Sequence, residues 1–375
     1  MNPPVYLDNN ATTPVDPEVI SLMTTCLKEY YGNPSSSHNN GLAAKQIIDT
    51  ARKKVAALIG AASEEIIFTS GGTEANNMAI IGTALQFTSG HIISSYIEHP
   101  SVAHPLKYLE SRNFRVTYLP VNRHGIVRID DLKNHITKKT RLITVMHSNN
   151  ETGSIQPISE IGKIAREKGV PFHSDAAQSV GKVPVNVNRL KTDLMTIVSH
   201  KFYGPKGVGA LYKKEGVKLS PIMFGASHEM GFRPGTENLP SIAGLGKACE
   251  LAKKEMKHRV SSLKALTGFM YAELQSQIPG ITLNGHITKR LPNTLNLTFP
   301  HVQGSVLLER LKNDIEASTG SACHEGKHTP SSVLKAMGLS NAEAFGAVRL
   351  SLGKNTTERQ IKKAVKAIVN AYRSF

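Results

Sequence analysis

Tryptophan is absent from this chain, and aromatic residues make up only 6% of it. Near-ultraviolet signals must come from tyrosine or from a bound cofactor. Cysteine is almost as scarce. Its three copies, Cys26, Cys249 and Cys323, lie far apart, which excludes a disulfide framework and any metal-ligand spacing. No metal site is expected. Cys26 and Cys249 fall in apolar-periodic helical stretches, where buried thiols are expected. No apolar run reaches the roughly 18 residues of a membrane span. The opening residues, Met1-Asn-Pro-Pro-Val-Tyr-Leu-Asp8, lack the basic and apolar regions of a signal peptide, so a cytoplasmic protein is expected. Internal repeats and low-complexity tracts are missing as well.

Acidic residues are also few: 29 against 45 basic ones, a net charge of +16. Such a surface attracts nucleic acid, anionic membranes or acidic proteins, and a basic, non-catalytic nucleic-acid-binding protein is one reading of it. The lysines are spread along the chain, however, with no arginine-rich arm and no basic-aromatic platform. Distributed charge of this kind reads as solvation.

What is present is an α/β pattern over 375 residues, enough for about two domains. Strand-like runs at 66–69, 91–94, 114–119, 142–146, 170–173, 194–198 and 210–212 alternate with helical stretches. The alternation predicts a mainly parallel, seven-stranded sheet covered by helices. Asp16-Pro17 opens a helix to about Glu29. A second helix runs to Ile59 with an apolar face of Leu42, Ile47, Ile48, Ala51, Val55 and Leu58. A long helical stretch, 239–277, leads into a smaller α+β region. The expected division is a large domain, 15–255, and a small one made of 1–14 with 256–375.

In open α/β sheets ligands gather at the carboxyl ends of strands. Here five such ends carry reactive side chains: Ser70-Gly-Gly-Thr-Glu74, Glu98-His99, His147-Ser-Asn-Asn-Glu-Thr-Gly153, Asp175-Ala-Ala-Gln178 and His200-Lys201. Each has an ordinary reading alone: a βα turn, a structural histidine, a helix cap, a solvated lysine. Together they offer a phosphate-cradling turn, an imidazole, a buried carboxylate and a poorly solvated lysine amine. That set describes a pyridoxal phosphate site, in which the carboxylate keeps the pyridine protonated and the lysine forms the Schiff base.

The chain resembles the NifS/IscS-type cysteine desulfurases of the class V aminotransferase group, fold-type I pyridoxal phosphate enzymes, along almost its whole length. The matching stretches are Tyr6-Leu-Asp-Asn-Asn-Ala-Thr-Thr-Pro14, Gly32-Asn-Pro-Ser-Ser35, Thr69-Ser-Gly-Gly-Thr-Glu74, Asn149-Asn-Glu-Thr-Gly153, Asp175-Ala-Ala-Gln-Ser-Val-Gly-Lys182, His200-Lys201, Arg233-Pro-Gly-Thr-Glu-Asn238 and Gly320-Ser-Ala-Cys323. The resemblance implies that Lys201 is the Schiff-base lysine, Asp175 pairs with the pyridine nitrogen and His99 stacks over the ring. It further implies that Gln178 and Asn150 contact the ring hydroxyl and the substrate side. Gly72, Thr73, Ser199 and His200 then hold the phosphate, with Thr236 arriving from the second subunit of a homodimer. Arg349 and Asn33 would fix the substrate carboxylate, and Cys323 would be the nucleophile that takes sulfur from L-cysteine as a persulfide, releasing L-alanine. A sulfur acceptor or scaffold protein is the implied partner.

The chain departs from the family in places. Val198 stands where a phosphate-binding serine is frequent, and Met230 replaces the arginine of a His-Glu-Arg motif. The Val198-Ser-His-Lys-Phe-Tyr-Gly-Pro205 stretch, Cys323-His324 and Phe232-Arg233 look more like selenocysteine lyases, which makes selenocysteine the alternative substrate. Pro100 after His99 and the Cys323-to-Pro330 spacing fit the desulfurases. The chain ends at Phe375 without the longer tail by which IscS-like enzymes engage a scaffold.

Overall fold

A computed structural model describes residues 3–319, 323–324 and 327–375, with only the backbone of 323, 324, 327 and 328. The first part of the chain holds β1 (Val5–Tyr6), α1 (Pro17–Glu29), α2 (Asn39–Ile59), β2 (Ile66–Thr69), α3 (Gly72–Ala84), β3 (Gly90–Ser95), α4 (Pro100–Glu110) and β4 (Phe114–Leu119). It continues with α5 (Ile129–His135), β5 (Thr140–Thr144), α6 (Ile158–Glu167), β6 (Phe172–Asp175), α7 (Val187–Leu190), β7 (Leu194–Val198) and β8 (Gly209–Lys213). After α8 (Leu239–Gln277) come β9 (Thr282–Leu283), β10 (Thr294–Thr298), α9 (Gly304–Leu311), β11 (Ile315–Glu316), β12 (Cys323–His324) and β13 (Lys327–His328). The chain finishes with α10 (Ser332–Ala336), α11 (Asn341–Phe345), β14 (Ala347–Ser351) and α12 (Glu358–Arg373).

The central sheet has seven strands, as the alternation predicted, and their order is β2-β8-β7-β6-β5-β3-β4. Only β8 runs against the others. One face packs on α1, α2, α6 and α8, with Phe68, Met195, Ile197 and Phe172 beneath them. On the other, α3 lays Ala75, Met78 and Ala79 over Leu194 and Leu211. Burial of both faces explains why β7 reads as a continuous apolar run rather than an alternating one.

Local chemistry fixes the helix starts. Asp16 accepts from Glu18 N at 2.9 Å with Pro17 at the first helical position, and Gly60 ends α2 in the left-handed region. The buried stripe of α2 is Ala44, Ile48, Ala51, Val55 and Ile59. Leu42, expected on that face, is 54% exposed because it falls about 200° around the helix from Ala44. β6 reaches Asp175, two residues beyond the predicted strand, because Ser174 and Asp175 pair with Met195 and Thr196.

The first residues belong with the last. β1 pairs parallel with β11, and Leu7 and Ser351 are hydrogen-bonded. Val5 and Leu7 sit in an apolar cluster with Leu263, Leu297, Leu350 and Ile368. The 39 residues of α8 join that cluster to the core under the large sheet.

Candidate active site

A cavity of about 350 Å³ opens at the carboxyl ends of β2, β3, β5, β6 and β7. Nine of the expected site residues line it: Gly72, Thr73, His99, Asn150, Asp175, Gln178, His200, Lys201 and Arg349. Three others do not. Asn33 caps its own loop through a bond from Ser35 N, and Ser199 is fully buried, its Oγ without a partner among the described residues. Thr236 lines a separate cavity with Arg233 and Asn238. Cys323 lies outside the residues whose side chains are described.

Lys201 follows β7 in a tight turn, and its Nζ donates to the main-chain oxygens of Asn10 at 2.9 Å and Ala11 at 2.7 Å. Burial and the Arg349 charge pull its amine down to about 8, although Asp175 and Asp8 work against them. The pocket thus leaves a larger share of this amine unprotonated near neutral pH than in a solvated lysine, free to take a proton or attack a carbonyl. Across the cavity, Asp175 Oδ1 accepts from Ala177 N at 2.9 Å and Oδ2 from Asn76 Nδ2 at 2.8 Å. His99 caps α4, and burial holds its imidazole pKa below the ordinary range; the Asp175 carboxylate opposes this and the Lys201 charge adds to it. His200, 3.1 Å from Thr12 Oγ1 through Nδ1, is pushed down to about 4 by burial and by three neighbouring lysines.

Several contributors carried no signal of their own in the sequence. Asn10 is the junction of the site. Its main-chain oxygen accepts from Lys201 and from Gln178 Nε2, and its Oδ1 accepts from Lys182 Nζ at 2.9 Å and Asn293 Nδ2 at 3.1 Å. Its Nδ2 donates to Thr294 Oγ1 at 2.9 Å. Lys182, fully enclosed, also donates to Gln178 Oε1 at 2.7 Å and so fixes which way that amide faces. Asn10 and Lys182 were visible only as members of matching stretches; Asn76 and Ser101 stood one turn after Thr73 and two residues after His99.

The cradle suits a phosphate-bearing ring. Helix α3 begins at Gly72, and a Cβ there would meet Val198 Cγ2 at 2.5 Å. Glycine and valine are therefore matched: Val198, in place of the frequent serine, closes the floor, and the bare backbone leaves the helix N-terminus open to an anion. Arg349 donates through Nη2 to Asp8 Oδ1 at 2.7 Å and through Nη1 to Asn150 O at 3.2 Å, while its Nε is buried without a partner among the described residues. Pyridoxal phosphate would fit this donor set: Gly72, Thr73 and His200 could hold its phosphate, Asp175 could face its ring nitrogen, Gln178 Nε2 its ring hydroxyl and Lys201 its aldehyde carbon.

Fold and site define an α/β enzyme built to activate an amino group with pyridoxal phosphate. The chain belongs to the class V aminotransferase family, which it matches over residues 5–364. It is 49% identical over 360 residues to the cysteine desulfurase IscS of Dictyoglomus turgidum, covering 95% of this chain and 91% of that one. Among solved structures it resembles a NifS-like protein, with a TM-score of 0.93 and 36% identity over 99% of this chain and 100% of the other. It also resembles SspA in complex with cysteine, with a TM-score of 0.83 and 36% identity over 94% and 100% of the two chains.

Proposed function

We propose that this chain is a homodimeric, pyridoxal-phosphate-dependent cysteine desulfurase that removes sulfur from L-cysteine, releases L-alanine and passes the sulfur from Cys323 to an acceptor. The observation that carries the reading is the meeting of Lys201, Asp175, His99 and Arg349 in one cavity, with the lysine amine drawn down to about 8. The names of the relatives, and the cysteine bound by one of them, agree with it.

Arg349 holds the substrate carboxylate with its unpartnered Nε, and the planar guanidinium sets the amino acid in one orientation. When bound, the cofactor supplies an electron sink for the charge released at the substrate Cα. Lys201 takes the Cα proton at Nζ. The Cys323 thiolate attacks the substrate sulfur, forming a sulfur–sulfur bond as the carbon–sulfur bond breaks; one proton delivered to Cβ and the Cα proton handed back from Lys201 Nζ complete alanine. The segment bearing Cys323 is tied to the site on both sides. Ser318 pairs with Arg349, and Ser331 Oγ donates to Glu151 Oε2 at 2.5 Å.

The dimer reading rests on a second feature. A groove of about 720 Å³ shares Thr73, His99 and Ser101 with the cavity and runs to Tyr108, Ile222 and the 85% exposed Phe224. An apolar rim at the mouth of a site suits a second copy, whose Thr236 would complete the phosphate cradle.

Cys323→Ala separates the parts of this reading. The variant is expected to keep its visible cofactor absorbance and to lose cysteine-dependent sulfide and persulfide formation, by about 100-fold or more. Undiminished sulfide release removes Cys323 as the nucleophile. A protein that stays colourless with added pyridoxal phosphate ends the proposal, and turnover of selenocysteine alone transfers it to the lyases.

A further inference from the structure

His99 Nδ1 accepts from the Ser101 main-chain N–H at 3.1 Å, and the same nitrogen lies 2.7 Å from Ser101 Oγ. A ring nitrogen that accepts from a main-chain N–H carries no proton, so the hydroxyl must also be a donor there. The other side of that hydroxyl is engaged: Asn76 Nδ2 donates to Ser101 Oγ at 2.8 Å. Asn76 cannot be turned over, because its Nδ2 also donates to Asp175 Oδ2 at 2.8 Å and a flip would set an amide oxygen against a carboxylate. Its Oδ1 is buried with no partner among the described residues, so its two donations are all the bonding that the side chain makes. Bond directions therefore run one way, from Asn76 to Asp175 on one side and through Ser101 to His99 on the other.

We propose that Asn76 and Ser101 are positioning residues that lock His99 as the neutral Nε2–H tautomer, so that it meets the substrate sulfur as a hydrogen-bond donor and leaves proton abstraction to Lys201. The substrate half of this inference rests on the desulfurase reading; the tautomer does not. A proton on Nδ1 would have to displace the Ser101 N–H from the cap of α4. The charged and titratable groups facing the ring agree. Burial disfavours imidazolium most, Lys201 and His104 add to it, and Asp175 alone opposes it, at the far side of the Asn76 amide. Two neighbouring groups thus receive separate tasks: an amine that takes a proton and an imidazole that only offers one.

The test is nitrogen NMR of the full chain labelled in histidine, with and without cofactor, the His99 signal being assigned by its loss in His99→Gln. The expected pattern is Nε2–H with a midpoint below that of an ordinary histidine. Ser101→Ala deletes a donor to the neutral form, so the midpoint should rise by about half a unit to one unit. The acid limb of kcat/KM should rise with it, and Ser101→Thr should restore both. Asn76→Ala, which frees the hydroxyl to rotate, should move His99 the same way by less. An Nδ1–H tautomer, or a midpoint unmoved in Ser101→Ala, overturns the proposal. The NMR result holding in a protein that ignores cysteine would instead sink the desulfurase reading and leave the lock standing.

Discussion

The two walls of the cavity are built by different means. The wall of His99, Ser101, Asn76 and Asp175 comes wholly from α3, α4 and β6 and is closed by bonds among its own members. The wall of Lys201, Gln178, Lys182 and Arg349 is held through Asn10 and Asp8, which lie next to β1, and through β10 and β14. The first wall is complete once the large sheet has folded. The second exists only where the small region has docked. In the proposed function, the ring that would stack and donate is on the self-contained wall. The groups proposed to bind substrate and move a proton are on the assembled one, next to Ser318 and Ser331 on either side of the Cys323 segment. The difference sets fixed geometry on the large-sheet side of the cavity and responsiveness on the side where the first and last segments of the chain meet it.

The largest effect that would sharpen this comparison comes from Arg349→Ala. It removes the carboxylate partner and its bonds to Asp8 and Asn150. With charge-assisted bonds each contributing about 1.5–3 kcal/mol, kcat/KM for cysteine should fall by roughly 10- to 100-fold. Most of the loss should appear in KM, with the cofactor still bound. A spectrum that collapses with the arginine would show the two walls to be one unit.

Asn10→Ala strikes the junction instead. It strips the side-chain bonds to Lys182, Asn293 and Thr294, leaving buried partners unpaired, and should lower the unfolding free energy by about 1–3 kcal/mol in urea titration. Lys182→Met should be non-additive with it, since both cut the same bond. Full additivity would break the idea of a shared frame.

The last effect is a pH-dependent one. Lys201 is held at about 8 in the folded chain against 10.5 for a free lysine, so the unfolded chain binds more protons between those values. Lys201→Met should accordingly make the cofactor-free protein more stable. Its advantage should be fully present below about pH 8 and fade as the pH climbs toward 10.5. A gap between the two melting curves that does not change with pH would remove the strained amine from the account.

Much of this architecture was legible because apolar runs and turn residues report on neighbours close in sequence. The five reactive strand ends were readable for that reason, and so were Asp16-Pro17 and the span of α8. Leu42 was misplaced because several faces of a mixed helix look apolar until the packing partner is known. Asn10, Lys182, Asn76 and Ser101 were harder. Each is an ordinary polar side chain whose role depends on a partner set by topology, and no local pattern marks Asn10 as facing both Lys182 and Asn293. Val198 is the instructive middle case: the departure was visible in the sequence, but the tight fit against Gly72 that gives it meaning needed the third dimension.

Asn10 also constrains the order in which the molecule can be made. Its main-chain N–H donates to Ser351 Oγ, a partner 341 residues later. The amine-holding carbonyls of Asn10 and Ala11 are made well before Ser351, and they cannot be seated until that partner has followed. Closing so long a loop comes late in folding. A nascent chain should therefore carry a finished sheet and an unseated lysine, and cofactor capture at the proposed site would wait until the strand bearing Ser351 has been made.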